Sequence, residues 1–365
     1  MRLAVTLAVL AGLVLPTAAG AAAKVPFGFF GLTIDGPLFR EDVDQEGEFA
    51  DMTRVGAEAV SVEVNWNVLQ PSADQGPDWT RIDRVARNAA RRGMKIMATP
   101  LYAPPWARVV PEDPASPPDP GAYAGFLHQL ILRYGPGGAF WAENPKLEPS
   151  PIRDWQVWNE PPSAGFWSLQ PFQKRYVELL RYARFAIKGT DKGARVVLAG
   201  LTWRSWGDLG KIYAAGGRGL FDVVSLHPYT ERPANVKYIV KLVRRKMARN
   251  GDAKMPVLIT ELSWPSAKGK TEDKYGYEVT PRGQARLLKA VLPMLAEARK
   301  RLRIERVYWH SWLSKDQGPR TFDYGGLRRI RDTTITDKPA LAAYRKGVLA
   351  LEGCRRKGTT AARCG

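Results

Sequence analysis

The sequence predicts a single α/β domain, a closed (β/α)8 TIM barrel. Short apolar, β-rich runs recur eight times along the chain. Helical patterns fill the intervals between them, and no glycine fingerprint of a dinucleotide fold follows the first run. The runs are Phe27 to Ile34, Ala59 to Trp66, Lys95 to Leu101, Arg153 to Glu160, Arg195 to Leu201, Asp222 to Tyr229, Pro256 to Trp264 and Arg306 to Trp312. Most are near-continuous apolar segments, as expected of parallel strands covered on both faces. Amphipathic stretches separate them: Ile82 to Arg92, Tyr123 to Tyr134, Phe172 to Lys188, Val236 to Arg249, Arg282 to Lys300 and Pro339 to Ala350. Eight alternations favour closure over an open doubly wound sheet. The 365 residues, 45% hydrophobic and 25% charged, suffice for one large domain with ample core material.

The ends are expected to lie outside the barrel. Arg2 supplies a positive start, Leu3 to Leu15 a short apolar stretch, and Ala19-Gly20-Ala21 and Ala21-Ala22-Ala23 small-residue cleavage patterns. Residues 1–23 therefore read as a secretory signal peptide cut near Ala23. A membrane anchor needs about 20 apolar residues, and Pro16 and Thr17 interrupt this stretch. No later segment is apolar for long enough to span a bilayer, so the mature protein is expected to be secreted and soluble. The barrel then occupies residues 24–350 and a basic tail residues 351–365. The two cysteines of the chain, Cys354 and Cys364, would close a disulfide loop in that tail in an oxidising compartment.

The formal net charge of +19 raises the question of a nucleic-acid partner. Lys and Arg are spread along the chain, and no recognition-helix, RNP-type or zinc-finger pattern appears, so none is expected. The charge fits a solvated Arg-rich surface, or attraction to an anionic polysaccharide or cell-wall glycan. The three histidines, His128, His227 and His310, are far apart in sequence and the cysteines sit at the tail, which gives no zinc pattern. No G-x-S-x-G elbow is present. Gly269-Lys270-Thr271 resembles the end of a phosphate loop, but Trp264 stands where its first glycine belongs. No cofactor or metal is expected, and nothing requires more than a monomer.

Barrel active sites form at the C-terminal ends of the strands. That rule selects Asn65, Trp66, Tyr102, Asn159, Glu160, His227, Tyr229, Glu261, Trp309 and Trp312. Glu160 and Glu261 each end an apolar run, about a hundred residues apart. A pair of carboxyl groups so placed is what glycosidic-bond cleavage needs, one to protonate the leaving oxygen and one to attack or to activate water. Aromatic residues at such a rim suit the C–H faces of sugar rings. The Pro-rich segment Pro104 to Pro120 is too long for a simple connector and is expected to wall the same face. Trp155, Trp158, Tyr176 and Tyr182 are expected to pack the core and the helix interface.

These residues resemble the retaining glycoside hydrolases of clan A, closest to family 39 and the cellulase-like proteins around it. Trp155 to Pro161, with its Asn-Glu-Pro, looks like the strand-four signature, and Phe166-Trp167 follows as it commonly does. Ala194 to Gly200 is similar to the fifth strand, Asp222 to Tyr229 to the sixth, and Pro256 to Trp264 to the strand that carries the nucleophile. Trp309 to Asp316, Gly325-Gly326-Leu327 and Lys338-Pro339-Ala340 resemble the family's close. The resemblance implies Glu160 as general acid/base, Glu261 as nucleophile, and Asn159 on the substrate's 2-hydroxyl. It implies Tyr229 on the nucleophile's carboxylate with His227 nearby, and Trp309 or Trp312 as the floor beneath the cleaved sugar. Strand alternation would let one of those two point inward. Where the clan usually carries an arginine, five residues before Trp66, this chain has Ser61, and Glu63 lies on the same strand face as a candidate sugar ligand. The implied activity is retaining hydrolysis of a carbohydrate; a glycan-binding barrel without catalysis and a transglycosylase are the alternatives.

Overall fold

The computed structural model describes residues 25–352 and 360–361. The expected signal peptide and the Cys354–Cys364 pair lie outside the described residues. Eight parallel strands form the barrel: β1 Phe30–Ile34, β2 Ala59–Asn65, β3 Lys95–Leu101, β4 Asp154–Gln156, β5 Arg195–Val197, β6 Val224–Leu226, β7 Val257–Ile259 and β8 Ile304–Trp309. Their order runs β5-β4-β3-β2-β1-β8-β7-β6. The seam between β5 and β6 is bridged by Val197 with Val223 and by Leu201 with Leu226, which closes the ring. The helices are α1 Gln45–Arg54, α2 Trp66–Leu69, α3 Thr80–Arg91, α4 Pro120–Tyr134, α5 Ala139–Glu143, α6 Gln173–Thr190, α7 Ser205–Ala214, α8 Pro233–Arg249, α9 Pro281–Leu302 and α10 Pro339–Glu352. Beyond β8, the strands β9 Leu313–Ser314, β10 Arg328–Arg331 and β11 Thr334–Asp337 form a small separate sheet.

Local chemistry sets several helix starts. Asp119 accepts from the Ala122 amide at 2.8 Å, with Pro120 in the first helical position of α4. Thr280 and Pro281 repeat the arrangement at α9, where Thr280 accepts from the Gly283 amide at 3.1 Å. Asp44 caps α1 through the Gly47 amide. That helix, α2, α5 and α7, none of them longer than 10 residues, escape the sequence reading.

Side-chain alternation along the strands sorts the interior into layers. At the N-terminal end Asp154 pairs with Arg195 at 2.7 Å and with Arg306 at 3.2 Å. Above them Ala59, Met97, Val197, Val223, Leu258 and Tyr308 form a small apolar cluster inside the ring. The Tyr308 ring fills the space beside β1, where a Cβ at Gly31 would meet it at 2.5 Å, so this position must be glycine. The much larger apolar core lies between the outward strand faces and the helices, and contains Val60, Val62, Val64, Trp155 and Trp309. Above the apolar layer, polar side chains from seven of the strands face the barrel mouth.

Several strands leave the ladder earlier than expected. β4 ends at Gln156, and the following Trp158 and Glu160 take positive φ angles of 68° and 38°. Non-glycine residues in this region are strained by about 1–2 kcal/mol each. The turn carries Glu160 off the sheet and into the mouth. Tyr182, expected in the helix interface, is 48% exposed; Trp155, Trp158 and Tyr176 are buried as expected.

Candidate active site

A cleft of about 400 Å³ opens at the C-terminal end of the barrel, and Glu160 and Glu261 both line it. A carboxylate oxygen from each, with a ring nitrogen of His227, lie within 4.8 Å of one another. Asn159, Glu63 and His227 line the same cleft. Tyr229 reaches it through a 2.9 Å hydrogen bond from its hydroxyl to Glu261 Oε2.

His227 joins the two carboxyls. Its Nδ1 lies 2.6 Å from Glu160 Oε1, and its Nε2 lies 3.0 Å from Thr260 Oγ1 and 3.5 Å from Glu261 Oε1. The imidazole fits because residue 200 is glycine; a Cβ there would fall 1.9 Å from Nε2. A chain of polar contacts beneath it sets the ring's tautomer. Gln156 donates its amide to the Trp158 carbonyl, which turns its Oε1 toward Ser225. Ser225 donates to that oxygen at 3.0 Å, so its own oxygen accepts from Thr260, 2.8 Å away. Thr260 is then left to accept from His227 Nε2–H. With Nε2 carrying the proton, Nδ1 of the neutral ring is an acceptor facing Glu160.

Burial lowers the His227 pKa against the pull of Glu261, which keeps the ring neutral. A neutral Nδ1 acceptor needs a donor, and a protonated Glu160 is one. Burial pushes the Glu160 carboxyl up to about 7. Glu261 is also held up at about 7, by burial first and by the Glu160 charge, while His227 and the Tyr229 hydroxyl draw it down. The two carboxyls thus sit in unlike surroundings, one against an acceptor and one against a donor.

His310 and Asp35 complete the floor, and neither was expected. His310 Nε2 lies 3.5 Å from Asp35 Oδ2 and 4.0 Å from Glu261 Oε2. On β8 the inward residues are Tyr308 and then His310, which places Trp309 on the outer face.

The tryptophan expectations are therefore corrected. Trp309 packs on Trp264 and donates to the Gly325 carbonyl. Trp312 is fully buried, donates to Glu48 at 2.6 Å and lies beneath the Arg328 guanidinium. Neither lines the cleft. Trp66 is likewise buried outside the barrel, stacked on Phe126 at 4.7 Å. Asn65 caps α2 through the Val68 amide, and this turn directs the indole toward α4.

The walls also differ from expectation. Residues 104–120 fold over the α2 end, where Trp106 donates to the Gln70 carbonyl, and contribute no lining to the cleft. A second lobe of about 740 Å³ adjoins the first and shares Glu160 and His227 with it. Trp203, Tyr229, Tyr275, Tyr277 and Phe322 wall this lobe. Tyr275 stacks on Tyr277, and Tyr277 on Tyr229, with ring centroids 5.5 and 5.7 Å apart. Counting by twos along β1 and β8 would have found Asp35 and His310. Tyr275, Tyr277 and Arg320 come from loops and Phe322 from a single 3-10 turn, Thr321–Tyr324, and no sequence signal marks them.

No family model matches the chain, and no curated protein matches it in sequence. Solved structures do. One is a family 39 glycoside hydrolase from the gut symbiont Bacteroides cellulosilyticus WH2, with TM-score 0.69 and 18% identity over 90% of this chain. This chain spans 64% of that protein's length. A monomeric β-xylosidase from Caulobacter crescentus CB15 aligns with TM-score 0.64 and 18% identity, covering 89% of this chain and 69% of that one. A family 1 β-glucosidase from Thermotoga maritima aligns with TM-score 0.61 and 12% identity, covering 90% and 99%. At these identities the likeness is one of fold. The chain carries the (β/α)8 barrel fold of the clan A glycoside hydrolases that its sequence resembles.

Proposed function

We propose that this chain is a secreted retaining glycoside hydrolase that acts on a poly- or oligosaccharide with Glu160 as acid/base and Glu261 as nucleophile. The observation that carries the reading is the pair of carboxyls in one cleft, their oxygens within 4.8 Å and their hydrogen-bond surroundings opposite. Retention calls for carboxyls about 5–5.5 Å apart, whereas inversion needs about 6.5–9.5 Å to admit a water. Glu261, ionised, attacks the anomeric carbon as the glycosidic C–O bond breaks. Glu160 gives its proton to the departing oxygen. Water then attacks the glycosyl–enzyme ester while Glu160 takes a proton back, and Glu261 is released. Asn159, at the cleft beside Glu160, is suited to a sugar hydroxyl. The leaving group fits the lobe walled by Trp203 and Tyr275, because that lobe holds Glu160 and not Glu261.

Export rests on the signal-peptide pattern of residues 1–23. Among the described residues no helix is long and apolar enough to cross a membrane. The net charge of +19 suits adsorption to an anionic cell-wall glycan through the outer helices. The deciding experiment is reducing-end release from neutral and acidic polysaccharides and aryl β-glycosides, with Glu261→Ala as the control. Release by the native chain that the variant lacks supports hydrolysis. Glycan binding by both proteins with no release from either would replace this reading with a non-catalytic binding barrel.

A further inference from the structure

We propose that the pocket receiving the cleaved sugar selects a residue with a protonated amino group, which Glu63 and Asp35 recognise. The proposal rests on the glycosidase reading of this cleft and names the substrate class within it.

Glu63 lines the cleft beside Glu261, yet among the described residues its carboxyl has no hydrogen-bond or ionic partner. Asp35 faces His310 at 3.5 Å and lines the same wall. Beneath them the hydroxyls of Ser61 and Thr99 line the pocket on residues 6% and 7% exposed, with no side-chain hydrogen bond among the described residues. Position 61 holds serine and the strand Ala59–Asn65 carries no Lys or Arg, so no cation beside Glu63 comes from its own strand. These polar groups face the open cleft, where water or a ligand can satisfy them.

The charge of the pocket runs against that of the whole chain. In a protein of net charge +19, the lining carries Asp35, Glu63, Glu160, Glu261 and Asp323 against one arginine, Arg320, and two histidines. Burial lowers the pKa of both histidines, so they offset little of the acidity. A uronic acid placed here would meet like charge on two strands. A neutral sugar could give hydroxyl hydrogen bonds but would supply no cation to draw Glu63 and Asp35 into their ionised forms. An ammonium supplies both the charge and three donors, which Glu63, Asp35 and the Ser61 or Thr99 oxygens can accept. The tendency of Glu63 to hold a proton up to about pH 8 without a ligand is the same want of a cation seen from the protein's side.

The test is calorimetric titration of the mature protein with glucosamine, glucose, N-acetylglucosamine and glucuronate at pH 6.5, repeated with Glu63→Gln. Free monosaccharides are not cleaved, so the result is independent of turnover and separable from a failure of the hydrolase reading. Glucosamine is expected to bind at least about tenfold more tightly than glucose, with N-acetylglucosamine and glucuronate weaker still. Glu63→Gln should reduce the preference for glucosamine over glucose to within about twofold. Equal binding of glucose and glucosamine by the native protein, or tighter binding of glucuronate, would overturn the proposal even if the variant did not fold.

Discussion

At the residue scale, the site works through opposed surroundings for two similar groups. Tyr229 donates to Glu261 and favours its ionised form, whereas the neutral His227 acceptor favours a proton on Glu160. Removing the Tyr229 hydroxyl should lift the Glu261 pKa further. Because the proposed nucleophile must be ionised to attack, Tyr229→Phe should move the acidic limb of the kcat/KM–pH profile upward by about half a unit or more, with kcat lowered about tenfold. An unmoved limb would separate Tyr229 from the nucleophile. Glu63 makes a different prediction. Burial and the Asp35 and Glu261 charges raise its carboxyl from 4.5 to about 8 in the folded chain. Between those values the folded protein holds a proton that the unfolded chain has released, so stability falls as pH rises through the window. Glu63→Gln keeps the shape and removes that loss. Its Tm should exceed the native value by about 2–4 °C at pH 8, with a smaller difference at pH 5.

At the element scale, the segment after β8 turns a barrel into a cleft. Residues 315–325 carry Arg320, Phe322 and Asp323 to the lining, and one buried ion pair holds them down. Lys338 Nζ lies 3.1 Å from Asp316 Oδ1 and 2.8 Å from the Tyr324 carbonyl, with both side chains almost wholly buried. Ser314 also donates to Asp316. Lys338→Met would leave Asp316 charged and buried, at a cost of about 3–5 kcal/mol. Melting should show that loss, and kinetics should show a KM increase larger than the kcat decrease, because the variant loosens a wall and leaves the Glu160 and Glu261 carboxyls in place. A variant with native Tm would show that the pair does not hold this segment. The β4 turn is the second decisive element. It leaves the sheet at Gln156, and its positive φ angles deliver Glu160 to the mouth.

At the scale of the whole molecule, the charge is divided by location. The net +19 belongs to the chain as a whole, while the cleft is lined by carboxyls. Surface attraction to a polyanion is screened within about 8–10 Å at physiological salt, whereas interactions inside the cleft are far less so. Raising NaCl from about 0.05 to 0.5 M should release the protein from an anionic polymer, read by co-sedimentation. The same change should leave kcat/KM for a neutral aryl β-glycoside within about twofold. A parallel collapse of both would mean that the surface charge acts in catalysis.

The sequence by itself determined the barrel. Eight runs with their helices match the eight strands in order, and Lys95 to Leu101 matches β3 at both ends. Apolar burial and local capping act over a few residues, so they leave a readable period. It also marked Glu160 and Glu261 as strand-end carboxyls, with Asn159, His227, Tyr229 and Glu63 beside them. Tertiary structure decided which ends face the mouth. His310 rather than Trp309 or Trp312 points inward, because β8 has Tyr308 filling the ring and alternation follows from that contact. Trp66 belongs to the outer core because a cap turns the chain there. The proton arrangement of His227 depends on Gln156, Ser225 and Thr260 from three different strands meeting in one layer. Such meetings are fixed by the register of the closed sheet, which no local pattern of residues encodes.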